Sequence, residues 1–71
     1  MNVFLQNSKT DEIKIAFLVG SVDFDTIVTV QFEEEGEAKG IMTFTPDGEL
    51  IFTNLMQYET WNVLAMLPAQ Y

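Results

Sequence analysis

A chain of 71 residues with a formal net charge of −8 fits one small domain, because domains rarely fall below about 50 residues. Its 48% apolar residues predict a folded chain, and its 11 Asp and Glu residues outweigh three lysines. Because phosphates and anionic lipids are bound by Lys and Arg, this balance disfavours nucleic-acid and membrane partners. Without histidine or cysteine, disulfides, thiolate nucleophiles and imidazole chemistry are excluded.

The first five elements expected along the chain are short antiparallel strands. Alternation of apolar and polar residues between turn-forming segments predicts strands over 2–6, 12–19, 26–34, 38–45 and 49–53. In the second strand, Ile13, Ile15 and Phe17 share one face, which we expect to belong to the apolar side of the sheet. Pro46-Asp47-Gly48 is typical of a tight hairpin loop.

The last element is predicted to be a helix over 55–67. Strict alternation stops after residue 53, and Met56, Val63 and Leu67 recur at helical spacing. Asn54 is a candidate N-cap, and Pro68 would end the helix. The sequence therefore predicts an α+β fold in which a four- to five-stranded antiparallel β-meander is followed by one C-terminal α-helix.

This arrangement would leave apolar surface uncovered. Five strands spaced by about 4.8 Å form a sheet nearly 20 Å wide, whereas a helix is only roughly 10 Å across. Unless the sheet curls into a partial barrel, a second copy is the expected cover. We therefore predict a homodimer.

The densest charge cluster is Glu33-Glu34-Glu35-Gly36-Glu37, at a predicted hairpin tip. It would imitate spaced phosphates and dock on a basic protein surface, where charge complementarity speeds association. The alternative is a solvated turn whose charges prevent aggregation. Carboxylates at the other turns would extend this surface, so the candidate partner-binding residues are Asp23, Asp25, Glu33, Glu34, Glu35, Glu37, Asp47 and Glu49.

Other constellations give weaker signals. Asp23 and Asp25 lack the further ligands that a hard-cation site needs, so no metal site and no cofactor are expected. Ser8 and Ser21 have no histidine to activate them, which argues against an enzyme. Tyr58 and Trp61 are candidate hydrophobic anchors for a partner, although Trp61 also fits a core position.

We therefore expect a small acidic protein-interaction module. In size and composition it resembles the small inhibitors that phages and mobile elements encode, which suggests occlusion of a basic or nucleic-acid-binding surface of a host protein. The alternatives are a self-associating structural or accessory protein and a small-ligand binder. Because Met1 to Gln6 resemble no signal peptide and no apolar run is long enough to span a bilayer, we expect a cytoplasmic location, in the host cytoplasm for a phage protein.

Overall fold

The computed structural model describes residues 1–68, which form six strands in one closed antiparallel barrel. Each strand pairs with the next one along the chain, and the last strand pairs with the first. The antiparallel sheet is thus confirmed. The strands are β1 (Asn2–Asn7), β2 (Ile13–Val19), β3 (Ile27–Phe32), β4 (Gly36–Phe44), β5 (Leu50–Asn54) and β6 (Glu59–Leu67).

The predicted α+β fold is wrong, because the segment expected to form a helix contains β6. This strand closes the barrel by pairing with β5 on one side and β1 on the other. Its pairing with β1 runs from Trp61 opposite Asn7 to Leu67 opposite Asn2. A strand whose neighbours lie on both sides satisfies its backbone groups in the sheet, so this closure removes the free edges of the meander.

A β-bulge interrupts the alternation of inward and outward residues in β6. Trp61, Val63 and Met66 all pack with the core, but the register against β1 shifts between Val63 and Ala65. Leu64 is therefore an extra residue, and the core-facing positions are separated first by two residues and then by three. This change of phase breaks the strict alternation of a regular strand, whereas Met56 and Leu67, two residues of the predicted helical stripe, are exposed.

The predicted N-cap, Asn54, instead organises a turn. Its Oδ1 accepts hydrogen bonds from the backbone N–H groups of Met56 at 2.8 Å and Gln57 at 3.3 Å, as an N-cap oxygen would. Tyr58 then adopts a left-handed conformation with φ of 55°, and the chain enters β6. The capping pattern is thus present without a helix after it.

The barrel interior is filled by side chains from all six strands. Phe52, Leu5 and Met42 are fully buried, and Trp61 lies beside them. Gly40 makes room for this packing, since a Cβ there would overlap the Phe52 ring and the Thr53 carbonyl oxygen.

The expected orientation of β2 is also wrong. Ala16 and Leu18 are buried, whereas the bulkier Ile13, Ile15 and Phe17 face outward. Phe52 and its neighbours already fill the interior, so the smaller side chains of Ala16 and Leu18 fit there. The bulkier residues of the other face would overpack this dense core, which is destabilising. The more apolar face of β2 is consequently on the outside of the barrel.

The loops place the acidic residues at the two ends of the barrel. We call the end formed by loops 8–12, 33–35 and 55–58 the mouth end, and the end with loops 20–26 and 45–49 the base. The mouth end carries Asp11, Glu12, Glu33, Glu34, Glu35, Glu37 and Glu59, and the base carries Asp23, Asp25, Asp47 and Glu49. Both ends are therefore acidic.

Candidate functional site

The outer face of β2 forms an apolar stripe. Its four outward positions, Ile13, Ile15, Phe17 and Val19, expose between 40% and 57% of their surface. On β1, the aromatic Phe4 lies opposite Ile15 in the ladder and is only half-buried. A strand with this much outward apolar surface is unusual on a small monomeric domain, whose contiguous apolar patches are commonly functional.

This stripe adjoins the acidic 33–35 loop. Two shallow depressions, of about 480 and 320 Å³, lie along it, and Ile15, Phe32 and Glu33 line both. We call this surface the β2 groove, defined by Ile13, Ile15, Phe17, Gln31, Glu33 and Glu34. It combines an apolar floor with a carboxylate border.

The mouth end holds a further, more enclosed cavity of about 430 Å³, which we call the mouth. This volume is within the range of small-molecule sites. All six strands contribute to its lining, which includes Asn7, Lys14, Phe32, Ala38, Asn54 and Trp61.

Asn7 fixes the rim of the mouth through both ends of its buried amide. Its Oδ1 accepts hydrogen bonds from the backbone N–H groups of Lys9 at 2.8 Å and Thr10 at 3.1 Å. Its Nδ2 donates to Glu59 Oε2 at 2.9 Å. The same side chain therefore shapes the 8–12 loop and ties β1 to β6.

Lys14 separates the mouth from the β2 groove. Its Nζ donates to the Glu35 carboxylate and lies 3.9 Å from Glu12 Oε1 and 5.9 Å from the centre of the Phe32 ring. Lys14 and Glu35 line both the mouth and one depression of the groove. The pair of Lys14 and Glu35 is partly exposed, so it contributes little to the stability of the fold. Its main effect is to hold the two side chains in place between the mouth and the groove.

Trp61 forms an aromatic wall of the mouth and is only 5% exposed. Its ring lies 5.5 Å from that of Phe32, with the planes tilted by 42°. Its Nε1 is buried and finds no hydrogen-bond acceptor among residues 1–68. Leaving such a buried donor without an acceptor costs about 1–3 kcal/mol.

The structure divides the predicted partner-binding residues between the two ends of the barrel. Glu33, Glu34 and Glu35 come together beside the apolar stripe, and Glu37 lines the mouth. Asp23, Asp25, Asp47 and Glu49 lie at the base, at the opposite end of the barrel. Of the two candidate anchors, Tyr58 is 82% exposed in the 55–58 loop, whereas Trp61 lies inside the barrel.

Sequence reasoning missed the polar lining of the mouth. Lys14 interrupts the apolar face of a strand, and Asn7 and Asn54 end their strands. At each of these positions, a polar residue stands at the end of a strand face whose other residues point into the barrel. Recognising them together requires knowing that β1 and β5 both terminate at the same end of a closed barrel.

Residues 1–68 hold neither a cluster of metal ligands nor a membrane-spanning helix. No three acidic side chains within residues 1–68 converge in a way that could hold a metal ion. The same residues contain no helix that is long and apolar enough to cross a membrane.

Comparison with known proteins gives no relative from which to transfer a function. No protein-family model, curated protein or solved structure matches the chain. Function is therefore inferred from the groove and the mouth themselves.

Proposed function

We propose that this chain is a protein-binding module that docks through its β2 groove on a partner with an apolar surface bordered by Lys and Arg. The observation that carries the proposal is the juxtaposition of Ile13, Ile15 and Phe17 with Glu33 and Glu34 in one groove. An apolar centre with a charged border is the usual composition of a protein interface. The groove is shallow, which suits another protein's surface better than a small molecule.

The way the partner binds follows from the closure of the barrel. Within residues 1–68 each of the six strands has neighbours on both sides, so this part of the chain offers no free edge for adding a strand. The partner would instead contact outward side chains. Since these outward residues lie on a regular strand, they form a preorganised surface that loses little conformational entropy on binding.

The acidic residues near the groove favour a positively charged partner. The groove is bordered by the acidic 33–35 loop at one end, and the base adds carboxylates beyond the other. A partner rich in Lys and Arg would be attracted from a distance and held in register. Occlusion of a basic, nucleic-acid-binding surface on a host protein, as by phage or mobile-element inhibitors, is the form of this function that the charge favours.

Self-association through the same groove is the second candidate. The exposed apolar stripe favours it, and the homodimer stays a prediction. However, every copy carries a net charge of −8 and both barrel ends are acidic. Any pairing of two grooves therefore brings like charges together, which favours a basic partner over a second copy.

Outward substitutions test the proposal without disturbing the core. The protein retained from the source cell by the wild-type chain would be identified, purified and titrated against an Ile15→Thr/Phe17→Thr variant. The matched control is Ile27→Thr, which removes an exposed isoleucine on β3 outside the groove. We expect at least about a tenfold loss of affinity for the double variant and little change for the control. Equal affinities for all three chains would refute the groove as the docking surface.

A further inference from the structure

Two exposed aromatic rings lie against each other at the base of the barrel. Phe24, in the 20–26 loop, and Phe44, at the end of β4, have ring centres 5.0 Å apart and planes tilted by 45°. We call them the aromatic pair. Phe44 continues the inward-facing row of β4 one position beyond the fully buried Met42, so it stands where the interior opens to solvent. The two side chains are 43% and 58% exposed, respectively.

Backbone hydrogen bonds hold the aromatic pair in place. The Asp25 N–H donates to the Met42 carbonyl oxygen at 2.9 Å, which ties the loop of Phe24 to β4. Directly after Phe44, the Thr45 N–H donates to the Glu49 carbonyl oxygen at 2.7 Å. Because both segments are tied to the barrel, the aromatic surface is preorganised and loses little conformational entropy on binding.

The charge of the base is negative. Four exposed acidic residues lie in the two loops that contain or adjoin the aromatic pair, namely Asp23, Asp25, Asp47 and Glu49. The lysines lie elsewhere: Lys9 and Lys14 are at the mouth end, and Lys39 Nζ donates to Thr29 Oγ1 at 2.7 Å on the barrel wall. Both ion pairs within residues 1–68 are made by Lys14. The described part of the base therefore carries carboxylates that no ion pair compensates.

We propose that the base binds an arginine side chain from a basic segment of another protein. Its guanidinium group would stack on the aromatic pair, and its N–H groups would donate to the loop carboxylates. A guanidinium group is flat, stacks on aromatic faces and presents a fork of donors that matches a carboxylate. A lysine ammonium is a point charge without that flat surface. The exposed rings and the charge therefore favour the same partner group.

A second copy of the chain is a poorer occupant of the base. The chain contains no arginine, and pairing two bases brings like charges together. The aromatic pair is also distinct from the β2 groove, because β3 lies between β2 and β4 in the sheet. Binding of arginine at the base therefore does not depend on the proposed docking through the groove.

The peptide acetyl-Gly-Arg-Gly-Arg-Gly-amide is a suitable probe, titrated at low ionic strength into isotope-labelled protein and followed by amide chemical shifts. We expect saturable shifts in the 20–26 and 45–49 loops, with a Kd of about 1 mM. Citrulline in place of arginine keeps the flat group without its charge, and that peptide should bind at least about tenfold more weakly. Lysine keeps the charge without the flat group and should bind about threefold more weakly.

Matched variants locate the binding. Asp25→Asn and Asp11→Asn each remove one carboxylate from a left-handed position, with φ of 63° and 62°, which Asn also adopts. Only Asp25 lies at the base, so we expect about two- to threefold weaker binding for Asp25→Asn and no change for Asp11→Asn. Phe24→Leu keeps an apolar side chain without an aromatic face and should weaken binding about threefold. Unchanged amide shifts in the barrel strands show that each variant folds.

Four results would overturn the proposal. One is the absence of saturable shifts at the base up to about 10 mM peptide. Another is a set of shifts confined to β2 and the 33–35 loop, which would place arginine at the groove and leave the proposed function standing. A third is equal binding of the arginine and citrulline peptides, or equal affinities of Asp25→Asn and Asp11→Asn. The last is a change of the base signals with protein concentration alone, since a second copy would then cover the aromatic pair.

Discussion

Asn7 Nδ2 donates a hydrogen bond to Glu59 Oε2 at 2.9 Å, joining the end of the first strand to the start of the last. The two residues are 52 positions apart in sequence. The bond therefore lies on the seam where the barrel closes, at the rim of the mouth. One buried asparagine links the closure of the fold to the shape of that cavity.

Truncating the Asn7 side chain should destabilise the barrel more than the loss of so few atoms would suggest. Asn7→Ala removes the bond to Glu59 and both bonds to the 8–12 loop, and each neutral hydrogen bond contributes about 1 kcal/mol. We expect a loss of about 2–3 kcal/mol in the free energy of unfolding, measured by urea denaturation. Glu59→Gln keeps an oxygen acceptor and should cost less than about 1 kcal/mol. If the two variants are equally stable, Asn7 does not hold the seam.

The first five strands show how far local patterns go. The predicted strands overlap β1 to β5, because each contains alternating residues between turn-forming segments. Alternation fixes which residues share a face but not which face is inside. For β2 the choice depended on the volume left by Phe52, Met42 and Leu5, which come from other strands.

The last strand shows where local patterns fail. Its bulge at Leu64 shifts the inward face by one residue, so the strict alternation that signals a strand is lost. Asn54 strengthened the wrong interpretation because it binds the following N–H groups as an N-cap would. Only the ladder to β1, a contact across almost the whole chain, identifies the segment as a strand. For the candidate groove, the sequence singled out the glutamates as binding residues, whereas its apolar floor was expected to share one sheet face with the apolar residues of the other strands.

Substitution on the two faces of β2 tests this orientation. Ile13→Thr and Ile15→Thr alter exposed side chains and keep the β-branched shape, so each should change stability by less than about 0.5–1 kcal/mol. Leu18→Ala removes a fully buried side chain and should cost about 2–5 kcal/mol. Urea denaturation of the three variants measures the difference. A larger cost for Ile15→Thr than for Leu18→Ala would place the core on the opposite face.

Gly40 should tolerate no side chain. Gly40→Ala would force its Cβ into the Phe52 ring and the Thr53 carbonyl oxygen, and overpacking of this kind costs about 1–3 kcal/mol. The control is Gly48→Ala, where a Cβ meets open space and only the positive φ of 87° is unfavourable, at about 1 kcal/mol. Thermal unfolding should therefore show the lower midpoint for Gly40→Ala. The reverse order would mean that the barrel wall yields at this position.

Salt should affect the two proposed uses of the β2 groove in opposite directions. A basic partner is held partly by charge, so raising ionic strength from about 0.1 M to 1 M, which shortens the Debye length from about 10 Å to 3 Å, should weaken binding. Self-association brings acidic ends together, so the same change should strengthen it. Light scattering would then show a molar mass rising from 8.1 kDa toward twice that value with salt, and Phe17→Thr would prevent the rise. A dimer that is equally stable at low and high salt would contradict this account, because its interface would have to avoid both acidic ends.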